Sequence, residues 1–243
     1  MRHPDIPPSV LALACALVVT ACATSTSAVS SASPSASTDR AVVRFLALGD
    51  SYTIGESVPE SERWPVQLAA LLRERGVNAE APVIIARTGW TTDELAAGIE
   101  AARPEGRFDL VSLLIGVNNQ YRGRDADEYR LQFRERLAQA ISFAGGDARR
   151  VLVLSIPDWG VMPFAEGRDR ARIAAEIDQF NAINREETSR AGARYVDVTP
   201  VSREATGNSA LVAGDGLHPS GAQYKRWAEL ALPAALAAIG RGG

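Results

Sequence analysis

The sequence predicts an α/β fold, a three-layer α/β/α sandwich built on about five parallel strands. Two observations lead there. Short apolar runs alternate with longer amphipathic stretches from Ala41 onward, and each run is continuous instead of alternating, as strands covered on both faces tend to be. The runs are Val42–Leu48, Pro82–Ala86, Leu110–Ile115, Val151–Ile156 and Tyr195–Val198. Between them lie helical patterns. Trp64–Arg75 sets Val66, Leu68, Leu71 and Leu72 at helical spacing, and Thr92–Ala102 opens on a Thr-Thr-Asp-Glu cap. Ala126–Phe143 and Arg170–Arg190 follow, and Gly221–Ile239 contains Pro233, where a kink is expected. Strands that alternate with helices need right-handed crossovers, and in such sheets the ligand sits beyond the carboxyl ends of the strands. The loops at that edge are therefore the ones to read for chemistry.

The 243 residues and their net charge of −3 fit a single globular domain. Nearly all the basic residues are arginines set among acids, without a block of like charge, which excludes a polyanion-binding stripe and any nucleic-acid partner. The first 22 residues read as an export signal: Arg2, then an uncharged apolar stretch from Val10 to Ala21, then Cys22. That stretch falls short of the about 20 apolar residues that span a bilayer. Val19-Thr20-Ala21-Cys22 is similar to the lipobox of bacterial lipoprotein signals, which implies acylation of Cys22 and an anchor in the cell envelope. Cleavage after Ala23, giving a soluble secreted protein, and an uncleaved anchor are the alternatives. Residues 23–40 are rich in Ser, Thr and Ala and read as a flexible tether, leaving 41–243 as the folded domain. Both cysteines, Cys15 and Cys22, precede that domain, so it has no thiol, disulfide or cysteine metal site.

Of the two histidines, His3 lies in the export segment. An imidazole base in the mature protein must then be His218. Ser51 follows the first strand directly, where the chain turns into a helix, and a serine there is a usable nucleophile once a base removes its proton. Alone, Gly49-Asp50-Ser51 reads as a turn with a capping side chain. Asp215 and His218 supply the missing partners in principle: a carboxylate on one ring nitrogen fixes the tautomer and leaves the other nitrogen to accept the serine proton. Two further strand-end loops offer oxyanion donors, the Gly89 amide after the second strand and the Asn118 side chain after the third.

With these blocks in order, the chain resembles an SGNH hydrolase, the family also called GDSL esterases and lipases. Leu48-Gly49-Asp50-Ser51-Tyr52, Gly89, Gly116-Val117-Asn118-Asn119 and Asp215-Gly216-Leu217-His218-Pro219 carry the resemblance, from about Phe45 to Pro219. It implies a flavodoxin-like fold, Ser51 as nucleophile, His218 as base, Asp215 as orienter, and an oxyanion hole from the Ser51 amide, the Gly89 amide and Asn118. Tyr52 stands at a packing position where the family usually has Leu, and Asn119 where it has Asp.

The expected reaction is hydrolysis of a small-molecule carboxylic ester through an acyl-enzyme, with no cofactor and no metal. A Gly-x-Ser-x-Gly elbow, a histidine metal cluster and a Gly-x-Gly-x-x-Gly fingerprint are all missing from the sequence. Trp90, Tyr121, Trp159, Met162, Phe164 and Leu217 are candidates for the substrate wall, with the apolar segment Trp159–Phe164 foremost. Two other readings stand beside it: a carbohydrate or cell-wall O-acetyl esterase, in which Arg122 and Arg124 hold a polar substrate, and a non-catalytic envelope binding module.

Overall fold

The structure, a computed structural model, describes residues 41–241. The expected export signal, tether and acylated Cys22 lie outside the described residues. Five strands form one sheet: β1 (Phe45–Gly49), β2 (Val83–Ala86), β3 (Leu110–Leu114), β4 (Val151–Leu154) and β5 (Arg194–Val196). All pairings are parallel and the order is β2-β1-β3-β4-β5. This is the flavodoxin-like order, with its switch point between β1 and β3.

All five predicted runs are strands, with ends shifted by up to three residues. The three inner strands are buried throughout, as continuous apolar runs require. The edges differ. On β2, Val83 is exposed, and β5 buries only Val196 fully, because each edge strand has a neighbour on one side alone.

Eight α-helices are present among the described residues: α1 (Ser51–Ile54), α2 (Trp64–Glu74), α3 (Thr92–Ala102), α4 (Val117–Tyr121), α5 (Ala126–Phe143), α6 (Arg170–Ala191), α7 (Thr199–Arg203) and α8 (Gly221–Ala238). On one face of the sheet α2 packs with α8, and on the other α5 packs with α3 and α6. The five long helices match the sequence reading to within a residue at each end, and α8 runs on through Pro233. Thr91 caps α3 in a capping box with Glu94, which satisfies two of the amides that every helix start leaves unpaired. Of the short helices, α1 is the one expected where the chain leaves β1, whereas α4 and α7 were not expected, since one turn has too few residues to show a period. Two of them, α1 and α4, carry Ser51 and Asn118.

Candidate active site

Ser51 is the first residue of α1, directly beyond the carboxyl end of β1. Asp50 is the N-cap: its Oδ1 accepts from the Tyr52 amide at 3.0 Å, and its carbonyl accepts from Thr53 and Ile54 at 3.0 and 3.1 Å. The Ser51 amide is left without a partner among the described residues, as the first amide of a helix is. Asp50 itself is fully buried, and its Oδ2 has no hydrogen-bond partner. Burial pushes its carboxyl up to about 8 against the opposing pull of the Tyr52 amide.

Asp215 and His218 sit on the loop before α8. The Nδ1 atom of His218 lies 2.6 Å from Asp215 Oδ2, while Asp215 Oδ1 accepts the Leu217 and His218 amides at 2.9 Å each. The loop is closed at its base by Ala213, whose amide donates to the His218 carbonyl at 2.8 Å, and by an antiparallel bridge between Val212 and Pro219. Burial alone raises the Asp215 carboxyl, but hydrogen bonds from Ser57, His218 and the two amides outweigh it and hold the group well below the usual carboxylate range. His218 is buried, and Tyr52 meets its ring edge-on with centroids 5.6 Å apart. Tyr52, read from sequence as a packing residue, thus supports the imidazole. Ser51 and His218 line one cavity of about 180 Å³. No hydrogen bond joins them.

Gly89 follows β2 with φ of 84°, a left-handed conformation that side chains disfavour. Its amide has no partner among the described residues, and its carbonyl accepts from Arg122 at 2.6 Å. Arg122 also pairs with Glu94 at 3.2 Å, and Arg124 lies 3.8 Å from Glu128. The arginines expected to hold substrate are thus engaged within the protein. Asn118, on α4, donates one amide proton to the Trp90 carbonyl at 2.9 Å and lines the cavity, so the NH₂ group keeps its second proton for a ligand. The neighbouring Asn119 faces inward: it accepts from the Thr92 amide at 3.1 Å and donates to Thr92 Oγ1 at 2.8 Å, which ties α4 to the start of α3.

The cavity is also lined by Tyr52, Val117, Tyr121, Trp159, Phe164 and Leu217. Trp159 and Phe164 thus stand where the sequence suggested. Two candidates do not. Trp90 turns its ring onto Gly98 of α3, where the missing side chain makes room for it, and Met162 is buried in a separate small cluster with Ala205 and Leu211. Both were candidates because they are apolar loop residues, but each fills a hole in the scaffold instead.

Sequence reasoning missed two supporting residues. Gln120 is buried on α4, donating to Glu176 at 2.7 Å and accepting from the Trp159 indole at 2.8 Å, which fixes that ring in the wall. Ser57, in the loop after α1, donates to Asp215 Oδ2 at 2.6 Å. Neither lies in a motif or a periodic pattern, so no local signal marked them. Among the described residues no cluster of His, Cys, Asp and Glu could hold a metal ion.

Solved structures share the fold at low identity. The structure of TesA superposes with a TM-score of 0.63 at 20% identity, covering 80% of this chain and 99% of that one. An acetylxylan esterase, Axe2, from Geobacillus stearothermophilus gives 0.59 at 21% identity over 82% and 94% of the two chains. A lipase/acylhydrolase from Enterococcus faecalis gives 0.58 at 20% over 78% and 93%. No curated protein matches the sequence. The profile of the GDSL-like lipase/acylhydrolase family matches residues 47–226, a span that includes every block of the site, and the chain therefore belongs to that family.

Proposed function

We propose that the protein is a serine esterase that hydrolyses carboxylic esters with short acyl chains through an acyl-enzyme on Ser51. The observation that supports this most directly is the 2.6 Å contact between His218 and Asp215 at the wall of the cavity that also holds Ser51. With its Nδ1–H given to the carboxylate, His218 keeps Nε2 as the acceptor for the serine proton. Ser51 Oγ attacks the acyl carbonyl carbon while the proton passes to His218. The carbonyl oxygen becomes an oxyanion, held by the Ser51 amide, the Gly89 amide and the Asn118 side chain. Collapse of the intermediate expels the alcohol, which takes the proton from His218. Water, deprotonated by the same ring, then releases the acid and restores Ser51.

A cavity of about 180 Å³ is below the usual size of a drug-like site and admits a short acyl group more readily than a long one. The second reading, an O-acetyl esterase acting on carbohydrate, draws on the half-exposed rings of Tyr121 and Phe164 at the cavity rim, although the Arg168 guanidinium already lies over them, 5.5 and 4.9 Å from their centroids. The binding-module reading lacks a reason for the complete set Ser51, Asp215 and His218.

The test is direct. Purified protein should release p-nitrophenol from acetyl and butyryl esters and be labelled by a fluorophosphonate probe, with Ser51→Ala losing both. Turnover in Ser51→Ala equal to the native rate would refute the assignment. Rates on acetylated sugars far above those on the p-nitrophenyl esters would favour the second reading. We further propose that the domain is exported and held in the cell envelope through Cys22.

A further inference from the structure

We propose that Ser57 is a positioning residue that fixes Asp215, and through it His218, from outside their own loop. The carboxylate of Asp215 accepts four hydrogen bonds. Two come from the Leu217 and His218 amides and one from the His218 ring, all within the same short loop. The fourth, from Ser57 Oγ at 2.6 Å, is the one that ties the acid to the rest of the protein, and it falls on Oδ2, the oxygen that also meets His218. A carboxylate oxygen held from two directions cannot rotate away from the imidazole without breaking a charge-assisted bond.

The segment bearing Ser57 is built for such a purpose. Its φ is 66°, in the left-handed region that a non-glycine residue occupies only under constraint. The adjacent Glu56 donates its amide to the Ser51 carbonyl at 3.0 Å, and its carboxylate accepts from the Thr88 hydroxyl, next to Gly89. Glu56 and Ser57 together therefore touch the nucleophile turn, the glycine loop and the acid. Strain at Ser57 persists because three separate contacts over-determine the segment.

This inference rests on the esterase reading for its kinetic consequence but not for its structural one, and the experiment separates them. Ser57→Gly and Ser57→Ala both remove the hydroxyl, but glycine relaxes the left-handed backbone and alanine does not. The two should lose about tenfold in kcat alike, with KM within a factor of two, even though Ser57→Gly melts higher than Ser57→Ala. In the absence of substrate, the low-field NMR signal of the proton between His218 and Asp215 should move or broaden in both. A kcat that follows melting temperature instead of the hydroxyl, or an unchanged proton signal, would overturn the proposal. If native protein turns over no ester but the signal still responds to Ser57, the positioning role stands and the esterase reading falls.

Discussion

Asp50 shows how one side chain can shape the turn into Ser51 and burden the fold at once. One of its oxygens caps α1 beside Ser51, while the other is buried without a partner, and its carboxyl is pushed up to about 8 from an ordinary value of 3.8. Between about pH 4 and pH 8 the unfolded chain has released this proton and the folded chain still holds it. The native state then binds more protons, so stability falls as the pH rises through that window. Asp215 acts in the opposite sense and lower: its stabilisation is present above its ordinary value and disappears only as the pH falls below it. Asparagine at position 50 keeps the capping oxygen and cannot ionise. We expect Asp50→Asn to flatten the dependence of melting temperature on pH between about 5 and 8, as measured by thermal unfolding in a buffer series. A slope equal to that of the native protein would locate the titrating group elsewhere. Nothing in the sequence announces this behaviour. Gly49-Asp50-Ser51 marks the turn, but the burial of Asp50 is set by residues distant in the chain.

At the scale of elements, the site depends on short segments that no periodicity reveals. The continuous apolar runs mark the strands, and Ser51, Gly89 and Asn118 follow the carboxyl ends of β1, β2 and β3 as a parallel sheet requires, while His218 sits in the loop before α8. Single-turn helices such as α4 escape that reasoning, and so does the wall they build. Asn118 faces the cavity, whereas Asn119 and Gln120 turn inward to Thr92, Glu176 and Trp159. Successive residues of one turn thus serve three neighbours. The turn can form because Gly116 precedes it with φ of 129°, where a Cβ would run into the Tyr129 hydroxyl and, at 2.8 Å, into Ile156. The same hydroxyl lies 3.0 Å from the Ile115 carbonyl and 2.7 Å from Asn184, so it has little freedom to yield. Gly116→Ala should cost about 1–3 kcal/mol or more. For a domain of this size that lowers the melting temperature by about 2–4 °C per kcal/mol. Ester turnover should fall as well, through displacement of Asn118. A variant with native melting temperature and native kcat would show that the backbone there adapts freely.

For the whole molecule, the sheet order places the switch point between β1 and β3, and Ser51, Asn118 and His218 line one cavity from three separate stretches of chain. None of the helices among the described residues is long and apolar enough to cross a membrane. Expression of the full chain in a bacterium fed a labelled fatty acid should label the protein, and Cys22→Ala should abolish the label without changing esterase activity of the detergent-extracted protein. Equal labelling of Cys22→Ala would exclude that cysteine as the acceptor. The loop of Asp215 and His218 has one more consequence. It is pinned at its base by the Val212–Pro219 bridge and the Ala213–His218 hydrogen bond, so Asp215 and His218 form a prefabricated cassette. Ser57 and the Phe164 amide also hold this loop, at 2.6 Å to Asp215 and 2.9 Å to the Gly216 carbonyl, so insertions or deletions between β5 and the bridge that move the cassette must break ties outside it. Grafting by an engineer would have to carry Ser57 and Phe164 along with the pair.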